Sequence, residues 1–468
     1  IQTMKKGSPT LIILFAIIIL VILSCLPLSQ WSGGRIKDFS LISDILKERV
    51  GDDGADGDDT AETAQEQVDP ELLKAMEEAE QRNPLTATDS VLALPIDTII
   101  HAPKAPRQGE LVVIEDYTTD QVGLIQLKNA LEQGDMARIA VVGDSYIEGD
   151  IFTQDLREKL QTAYGGEGVG YVNMHSDFPG FRRSVKQGGS GWKTFMANKK
   201  VDNRYLFLAE QYAIPSGTAT ATYEGTKAYE QTKQWTRSRF LFIAPENCTI
   251  SVKTADAEWE ERNITGSDSV QCIEIASPTT RFDVRTSSPR LVGLGVWLDG
   301  ASGVSLDCMS SRGFSGITLT KINSGLCREM SATINYNLII LEFGINAMTA
   351  SQKNYSIYSG RMVSVINHVR NCYPRADILL MGVGDRGEKR GGTVRSMSTA
   401  SAMIEAQRDA ARRAHCLFWD TREAMGGDGA VVEWCNAGLI NKDYIHMTHK
   451  GGARLADALY QALQNSLK

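Results

Sequence analysis

The chain has 468 residues, 42% of them hydrophobic and 23% charged, a balance that supports a sizeable core and a length suited to two or three folded units with additional segments. Its formal net charge of −8 speaks against a nucleic-acid partner, which would require a basic face, although much of the acidity is local to Asp52, Asp53, Asp56, Asp58 and Asp59. The eight cysteines (Cys25, Cys248, Cys272, Cys308, Cys327, Cys372, Cys416 and Cys435) include no C-x-x-C pair, which disfavours a zinc centre or a thioredoxin-like redox site.

Leu11 to Leu26 (LIILFAIIILVILSCL) is almost unbroken hydrocarbon, preceded by Lys5 and Lys6 and closed by Pro27. The run is a little short of the roughly 20 residues that span a bilayer, and longer than many signal-peptide cores. Its basic flank predicts a cytoplasmic N-terminus and translocation of everything past Pro27. An uncleaved signal anchor over residues 1–27 is favoured over a cleaved signal peptide and over lipidation at Cys25. No Ala-x-Ala site stands out, and Leu23 is unusual two residues before a lipidated cysteine. The expected location is therefore membrane-anchored, with the rest of the chain exported to the periplasm or cell surface. In an exported chain some cysteines would pair, Cys308 with Cys327 being one candidate, and buried free thiols are the alternative. Residues 28–105 read as a flexible acidic stalk, because so few large apolar side chains cannot offset chain entropy. Within it, Pro70 to Met76 (PELLKAM) is a good helix opening.

Ala137 to Val142 (ARIAVV) has the pattern of a buried parallel strand. Gly143-Asp144-Ser145 follows at once, then a helix-like stretch from Asp150 to Tyr164 with apolar residues at Ile151, Leu156, Leu160 and Tyr164. A serine at such a junction is presented at the C-terminal edge of a sheet, near a partly positive helix N-terminus. From about Asn203 to Gly303 the pattern changes to short alternating runs separated by turn residues, which predicts an antiparallel sandwich. Trp235, Trp259 and Trp297 in this region are able to stack on a sugar face, although core positions are commoner for such rings. Asn337 to Phe343 (NLIILEF) is a second buried strand, ending in Gly344-Ile345-Asn346, where Asn346 is placed either to donate its amide to an oxyanion or to cap a helix. A third strand, near 377–383, leads to Asp385-Arg386, a candidate substrate contact or surface ion pair. Asp443-Tyr444-Ile445-His446 precedes the C-terminal helix from about Lys450 to Leu467. Its spacing lets the carboxylate hold the imidazole, so that the other ring nitrogen accepts a proton from a serine. His449 is a rival without an acid three positions upstream.

Taken together, Gly143-Asp144-Ser145, Gly344-Ile345-Asn346 and Asp443-x-x-His446 resemble the SGNH (GDSL-type) hydrolase family. The resemblance implies that Ser145 attacks an ester, that His446 is its base and that Asp443 orients the imidazole. It further implies an oxyanion hole made of the Ser145 N–H, a glycine N–H and the Asn346 side chain. The glycine is Gly316, in Ser311 to Gly316 (SRGFSG), with Gly191, in the similar-looking Gly188-Gly189-Ser190-Gly191, as the fallback. The stretch from Gly143 to Val172 is similar to peptidoglycan O-acetylesterases, in which a jelly-roll-like β-domain interrupts the hydrolase. The expected fold is thus α/β: an SGNH-type parallel sheet flanked by helices (residues 106–202 and 304–468), interrupted by an antiparallel β-sandwich (203–303) and preceded by a transmembrane helix. The expected function is a serine esterase that removes O-acetyl groups from cell-wall or surface polysaccharide, peptidoglycan favoured. A membrane-tethered O-acetyltransferase, or the partner of one, is the alternative, and a carbohydrate-binding module with little catalysis the second. The implied partners are an acetylated glycan and the inner membrane. The implied chemistry needs no metal or cofactor.

Overall fold

The computed structural model describes residues 72–76, 78, 110–255 and 257–468. The chain runs through β1 (Glu115–Asp116), α1 (Ile125–Gln133), β2 (Met136–Gly143), α2 (Thr153–Tyr164) and β3 (Gly168–Val172). Eight further strands follow: β4 (Val185–Met196), β5 (Gln211–Gly225), β6 (Trp235–Ala244), β7 (Cys248–Thr254), β8 (Glu260–Ile264), β9 (Ser267–Thr279), β10 (Arg281–Thr286) and β11 (Val292–Asp299). The remainder comprises β12 (Gly303–Ser310), α3 (Ser324–Met330), β13 (Leu338–Glu342), α4 (Ser356–Cys372), β14 (Asp377–Met381), the hairpin β15 (Gly387–Arg390) and β16 (Thr393–Ser396), α5 (Ala400–Arg413), β17 (Leu417–Trp419), α6 (Thr421–Met425), α7 (Ala430–Asn436) and α8 (His449–Ser466).

A six-stranded sheet in the order β1-β17-β14-β13-β2-β12 is parallel apart from its short edge strand β1. Its strands are continuously apolar because both faces are covered. Alternate residues divide between two cores, as the two-residue period of a strand requires. Ala140, Val142, Ile339, Leu341, Leu380 and Phe418 face one core, closed by α3, α4 and α5. Ile139, Val141, Leu338, Ile340, Leu379 and Trp419 face the other, closed by α1, α2 and α8. The C-terminal ends are in register, with Gly143 opposite both Ser310 and Glu342, and Glu342 opposite Met381. Loops leaving β2, β12, β13 and β14 therefore meet at one edge, where open α/β sheets place their sites.

The second sheet is antiparallel and holds nine strands, β3 to β11. It reaches back before residue 203, since β3 pairs with β11 and β4 with β5. The strands are antiparallel, as the alternation predicted, and hydrogen bonds join all nine into one branched sheet. Its register shifts between Ser190 and Trp192 and between Gly293 and Gly295 let long strands change partners without a break. Trp235, Phe240, Phe242, Phe282 and Val284 are among the buried residues of its own core.

A buried ionic seam joins the two sheets. Arg138, in the middle of β2, reaches Asp299 at the end of β11 (2.5 Å) and Asp307 on β12 (3.4 Å), and Arg239 on β6 also grips Asp299 (2.6 Å). Asp307 further accepts from the Trp297 indole (2.8 Å), the Tyr336 hydroxyl (2.7 Å) and the Tyr171 N–H (3.0 Å). Every charged member is buried, so each guanidinium depends on these carboxylates in place of water.

Cys308 and Cys327 are both free. They belong to the two different cores, and the parallel sheet between them prevents the disulfide considered above. Cys308 instead faces the Ile147 carbonyl at 3.5 Å, while the Cys327 thiol hydrogen-bonds that of Cys372 at the end of α4. Residues 72–76, within the expected stalk, are helical, and Leu72 and Met76 are fully buried in the core under α3, α4 and α5. No helix among the described residues is long and apolar enough to cross a membrane. The predicted anchor, Leu11 to Leu26, lies outside the described residues, as does most of the predicted stalk.

Candidate active site

Ser145 stands two residues beyond β2. Gly143 ends that strand against Glu342 of β13, whose carbonyl would be 2.6 Å from any Cβ at position 143, so only glycine lets the two strand ends close up. The chain then turns tightly: Asp144 Oδ1 accepts the Tyr146 N–H (2.9 Å) and the Ser145 carbonyl accepts the Glu148 N–H (3.3 Å). Ser145 is 6% exposed.

Asp443 and His446 come from the loop between α7 and α8. That loop is closed by the Asn441 N–H donating to the His446 carbonyl (2.9 Å) and by Tyr444 in the left-handed region (φ 60°), a conformation costly for a non-glycine residue. The same turn points both N–H groups of Ile445 and His446 at Asp443 Oδ1 (2.9 and 3.1 Å). His446 Nδ1–H donates to Asp443 Oδ2 at 2.7 Å, and Nε2 faces Ser145 Oγ at 3.1 Å. This orientation leaves Nε2 as the acceptor for the serine proton. Burial works against the Asp443 carboxylate, yet the His446 hydrogen bond, the two backbone donors and the attraction of the imidazole outweigh it, holding the carboxyl below its ordinary value. His449 is turned elsewhere, bonding Gln154 of α2 through Nδ1 (2.8 Å).

What seats this loop beside the serine is close backbone packing. The first turn of α8 carries Gly451 and Gly452; a Cβ on either would lie 1.9 Å from a carbonyl oxygen, that of Leu439 or that of Ile151 respectively. Ile151 ends the turn that begins at Ser145. The helix carrying His446 at its threshold is thus pressed directly onto the nucleophile's own segment.

Asn346 is fully buried, and its Nδ2 donates to Asp144 Oδ2 (3.1 Å) and to the Phe314 carbonyl (3.0 Å). Phe314 belongs to the 311–316 loop after β12, which is anchored to the nucleophile strand by the Ser311 N–H on the Gly143 carbonyl (2.8 Å). Gly316 closes this loop with φ 85°, against the Phe343 ring. Ser145, Asn346 and the Gly316 loop therefore lie in one connected network with Asp443 and His446. Gly191 does not join it: it lies in β4 of the antiparallel sheet, where a Cβ would meet the Thr218 carbonyl.

Asp385-Arg386 is not a surface ion pair. Asp385 is buried and held by Arg422 (2.8 Å), the Ser396 hydroxyl (2.5 Å) and the Val431 N–H (2.9 Å). Arg386 turns the other way and donates to the Ile345 carbonyl (2.7 Å), bracing the loop that carries Asn346. Trp235 and Trp297 are fully buried, their indoles bonded to Ser238 (2.7 Å) and Asp307 (2.8 Å), so neither meets a sugar. Trp259 is partly exposed, with the Arg285 guanidinium 4.4 Å from its ring centroid. Asp144, and the bracing role of Arg386 in place of a substrate contact, are parts of the site network that spacing alone did not reveal. The only hint of the first was its place inside Gly-Asp-Ser. No group of three His, Cys, Asp or Glu side chains among the described residues is arranged to hold a metal ion. Two surface concavities among the described residues, one near Arg328 and Tyr336 and one near Glu224 and Arg281, are lined by no triad residue.

No family model and no curated protein matches the sequence. Solved structures do. A structure described as a peptidoglycan O-acetylesterase superposes with a TM-score of 0.63 at 21% identity, covering 76% of this chain and 99% of that one. A Bacillus subtilis protein aligns over 64% of this chain and 98% of its own at 13% identity, with a TM-score of 0.30. A family two carbohydrate esterase from Cellvibrio japonicus aligns over 60% of this chain and 99% of its own at 10% identity, with a TM-score of 0.26. The first superposition, with the sheet order and the loop placement above, shows that this chain has an SGNH hydrolase-like fold.

Proposed function

We propose that the chain is a serine esterase that removes O-acetyl groups from a cell-wall or surface polysaccharide, with peptidoglycan as the favoured substrate. The observation that carries this reading is the aligned relay of Ser145 Oγ, His446 Nε2 and Nδ1, and Asp443 Oδ2, with spacings of 3.1 and 2.7 Å. His446 takes the proton of Ser145 as its oxygen attacks the acetyl carbonyl; Asp443 holds the tautomer and stabilises the imidazolium. His446 then gives that proton to the departing sugar oxygen, which leaves as a hydroxyl; water, deprotonated by the same ring, attacks the acetyl-enzyme, and His446 returns the proton to Ser145 Oγ as acetate leaves. The Ser145 and Gly316 N–H groups and the Asn346 amide receive the oxyanion. Asn346 makes this donation by exchanging its bond to the Phe314 carbonyl, with Asp144 keeping the amide in place. The carbohydrate class is supported by the fold shared with the peptidoglycan O-acetylesterase structure. Export across a membrane on the Leu11–Leu26 segment would bring the site to such a polymer.

The test is acetate release by the full-length chain from O-acetylated peptidoglycan, with acetylated xylan as the contrast substrate. Ser145→Ala is expected to abolish release and fluorophosphonate labelling, and Asn346→Ala to lower kcat about 10²–10³-fold, the usual effect of losing one oxyanion donor. Release that survives in Ser145→Ala would sink the proposal. Acetyl groups appearing on a sugar acceptor rather than in water would move the same residues to a transferase.

A further inference from the structure

Of the four large hydrophobic side chains that are well exposed among the described residues, Phe178 is the one aromatic, at 52% exposure. It lies in the loop between β3 and β4 and stacks on Phe181, with ring centroids 5.7 Å apart and planes 19° from parallel. The pair is not a loose surface feature. Arg182, next in sequence, donates to Asp150 Oδ2 (3.2 Å), to the Tyr171 carbonyl (2.9 Å) and to the Val169 carbonyl (3.0 Å). Asp150 is itself buried, gripped by Arg157 (2.7 Å) and by the Ser184 hydroxyl (2.6 Å).

This anchoring ties the rings to the nucleophile. Asp150 and Gly149 belong to the turn that starts at Ser145, and the Glu148 N–H donates to the Ser145 carbonyl (3.3 Å). Phe181 packs so tightly on Gly149 that a Cβ there would be 2.7 Å from the Phe181 Cβ. Glu148 in turn pairs with Arg312 of the 311–316 loop (3.0 Å). Phe181 therefore packs on the turn that starts at Ser145, and Phe178 stacks on Phe181. Its flank is polar and exposed: His175 Nε2 and Asp177 Oδ1 lie 3.1 Å apart just before Phe178.

A rigid, solvent-facing ring with hydrogen-bonding groups at its rim suits a ligand that has one apolar face and a hydroxylated edge. We propose that Phe178, backed by Phe181, is a stacking subsite for a pyranose ring of the glycan chain, one step along the polymer from the sugar presented to Ser145. The inference rests on the esterase reading for the identity of that polymer. The C–H face of the pyranose covers the ring, and His175 and Asp177 meet its hydroxyls. Docking there would hold a flexible chain while its acetyl group enters the site, so the subsite acts on KM.

The test uses the full-length chain and two readouts. In a Ser145→Ala background, binding of deacetylated peptidoglycan glycan strands is measured with and without Phe178→Ala, which is expected to raise Kd about tenfold, the loss of one aromatic stack. In the active chain, the ratio of kcat/KM for O-acetylated glycan to that for p-nitrophenyl acetate is expected to fall about tenfold in Phe178→Ala, through KM, and to recover in Phe178→Trp. An unchanged Kd and ratio overturns the subsite, as does an equal loss of kcat on both substrates, which would make the ring a mere support for the Ser145 turn. Retention of glycan binding with strong binding of an apolar peptide at Phe178 instead assigns the ring to a protein partner. If the wild-type chain releases no acetate from any glycan yet Phe178→Ala weakens strand binding, the subsite stands and the esterase reading falls.

Discussion

Gly452→Ala probes the packing that brings the triad together. The added methyl carbon would sit 1.9 Å from the Ile151 carbonyl oxygen and 2.7 Å from its carbon, both of them backbone atoms that cannot swing aside. Carbon and oxygen without a bond between them rarely approach within about 3.3 Å, so α8 and the Ser145 turn must separate by more than an ångström. Thr448, whose carbonyl accepts the Gly452 N–H at 2.9 Å, carries that displacement to the His446 loop. A hydrogen bond of 3.1 Å between Ser145 and His446 does not survive it. The expected outcome is a fall of about 10²-fold in kcat/KM for p-nitrophenyl acetate with a loss of about 1–3 kcal/mol in stability from overpacking. Gly360→Ala is the control: it lies inside α4, and its Cβ would meet nothing within 4 Å. That variant should keep full activity and gain up to about 1 kcal/mol of helix propensity. Wild-type kcat/KM and melting temperature in Gly452→Ala would refute the claim that this contact sets the triad geometry.

Two further outcomes are expected. Asp299→Ala leaves the Arg239 guanidinium buried without its carboxylate and Arg138 with only the longer contact to Asp307, so chemical denaturation should report a loss of about 3–5 kcal/mol; a loss below about 1 kcal/mol would contradict the seam's role. Glu210 is buried, and burial raises its carboxyl from 4.5 to about 8, only partly offset by the Thr318 hydroxyl and by Lys321. A folded-state value above the unfolded one gives stability that is complete below about 4.5 and is lost as pH rises through about 8. Melting temperature should therefore fall from pH 5 to 9 in the wild type more steeply than in Glu210→Gln; parallel profiles would show that Glu210 is ionised in the fold.

Much of this architecture is legible in the sequence because the relevant signals are short and local. ARIAVV, NLIILEF and the run near 377–383 are uninterrupted apolar stretches, which only a strand covered on both faces requires. The Asp443–His446 pair sits within a single turn, so its spacing carries its geometry. What escaped depends on contacts distant in sequence. β3 (GVGYV) and the Gly-rich half of β4 lack clean alternation, and their places in the antiparallel sheet are set by β11 and β5. Trp297 is drawn inward because its N–H finds Asp307, and a composition count cannot see that partner. Phe178 is the converse, an aromatic ring kept outside by an arginine that is spent on holding its loop down. Asp385 and Arg386, adjacent in the chain, serve different neighbours, Arg422 for the one and the Ile345 carbonyl for the other, and adjacency cannot show this.

The ionic seam also bears on how this protein can change. Arg138 lies in the strand that delivers the nucleophile, while Asp299 and Arg239 lie in the antiparallel sheet. The second sheet is consequently no detachable cassette: excising or exchanging it would take the shorter of the two carboxylate contacts from a guanidinium buried in the catalytic layer. The two sheets should melt in one cooperative transition, and a graft of a foreign β-region onto this hydrolase would have to bring a carboxylate to the same spot.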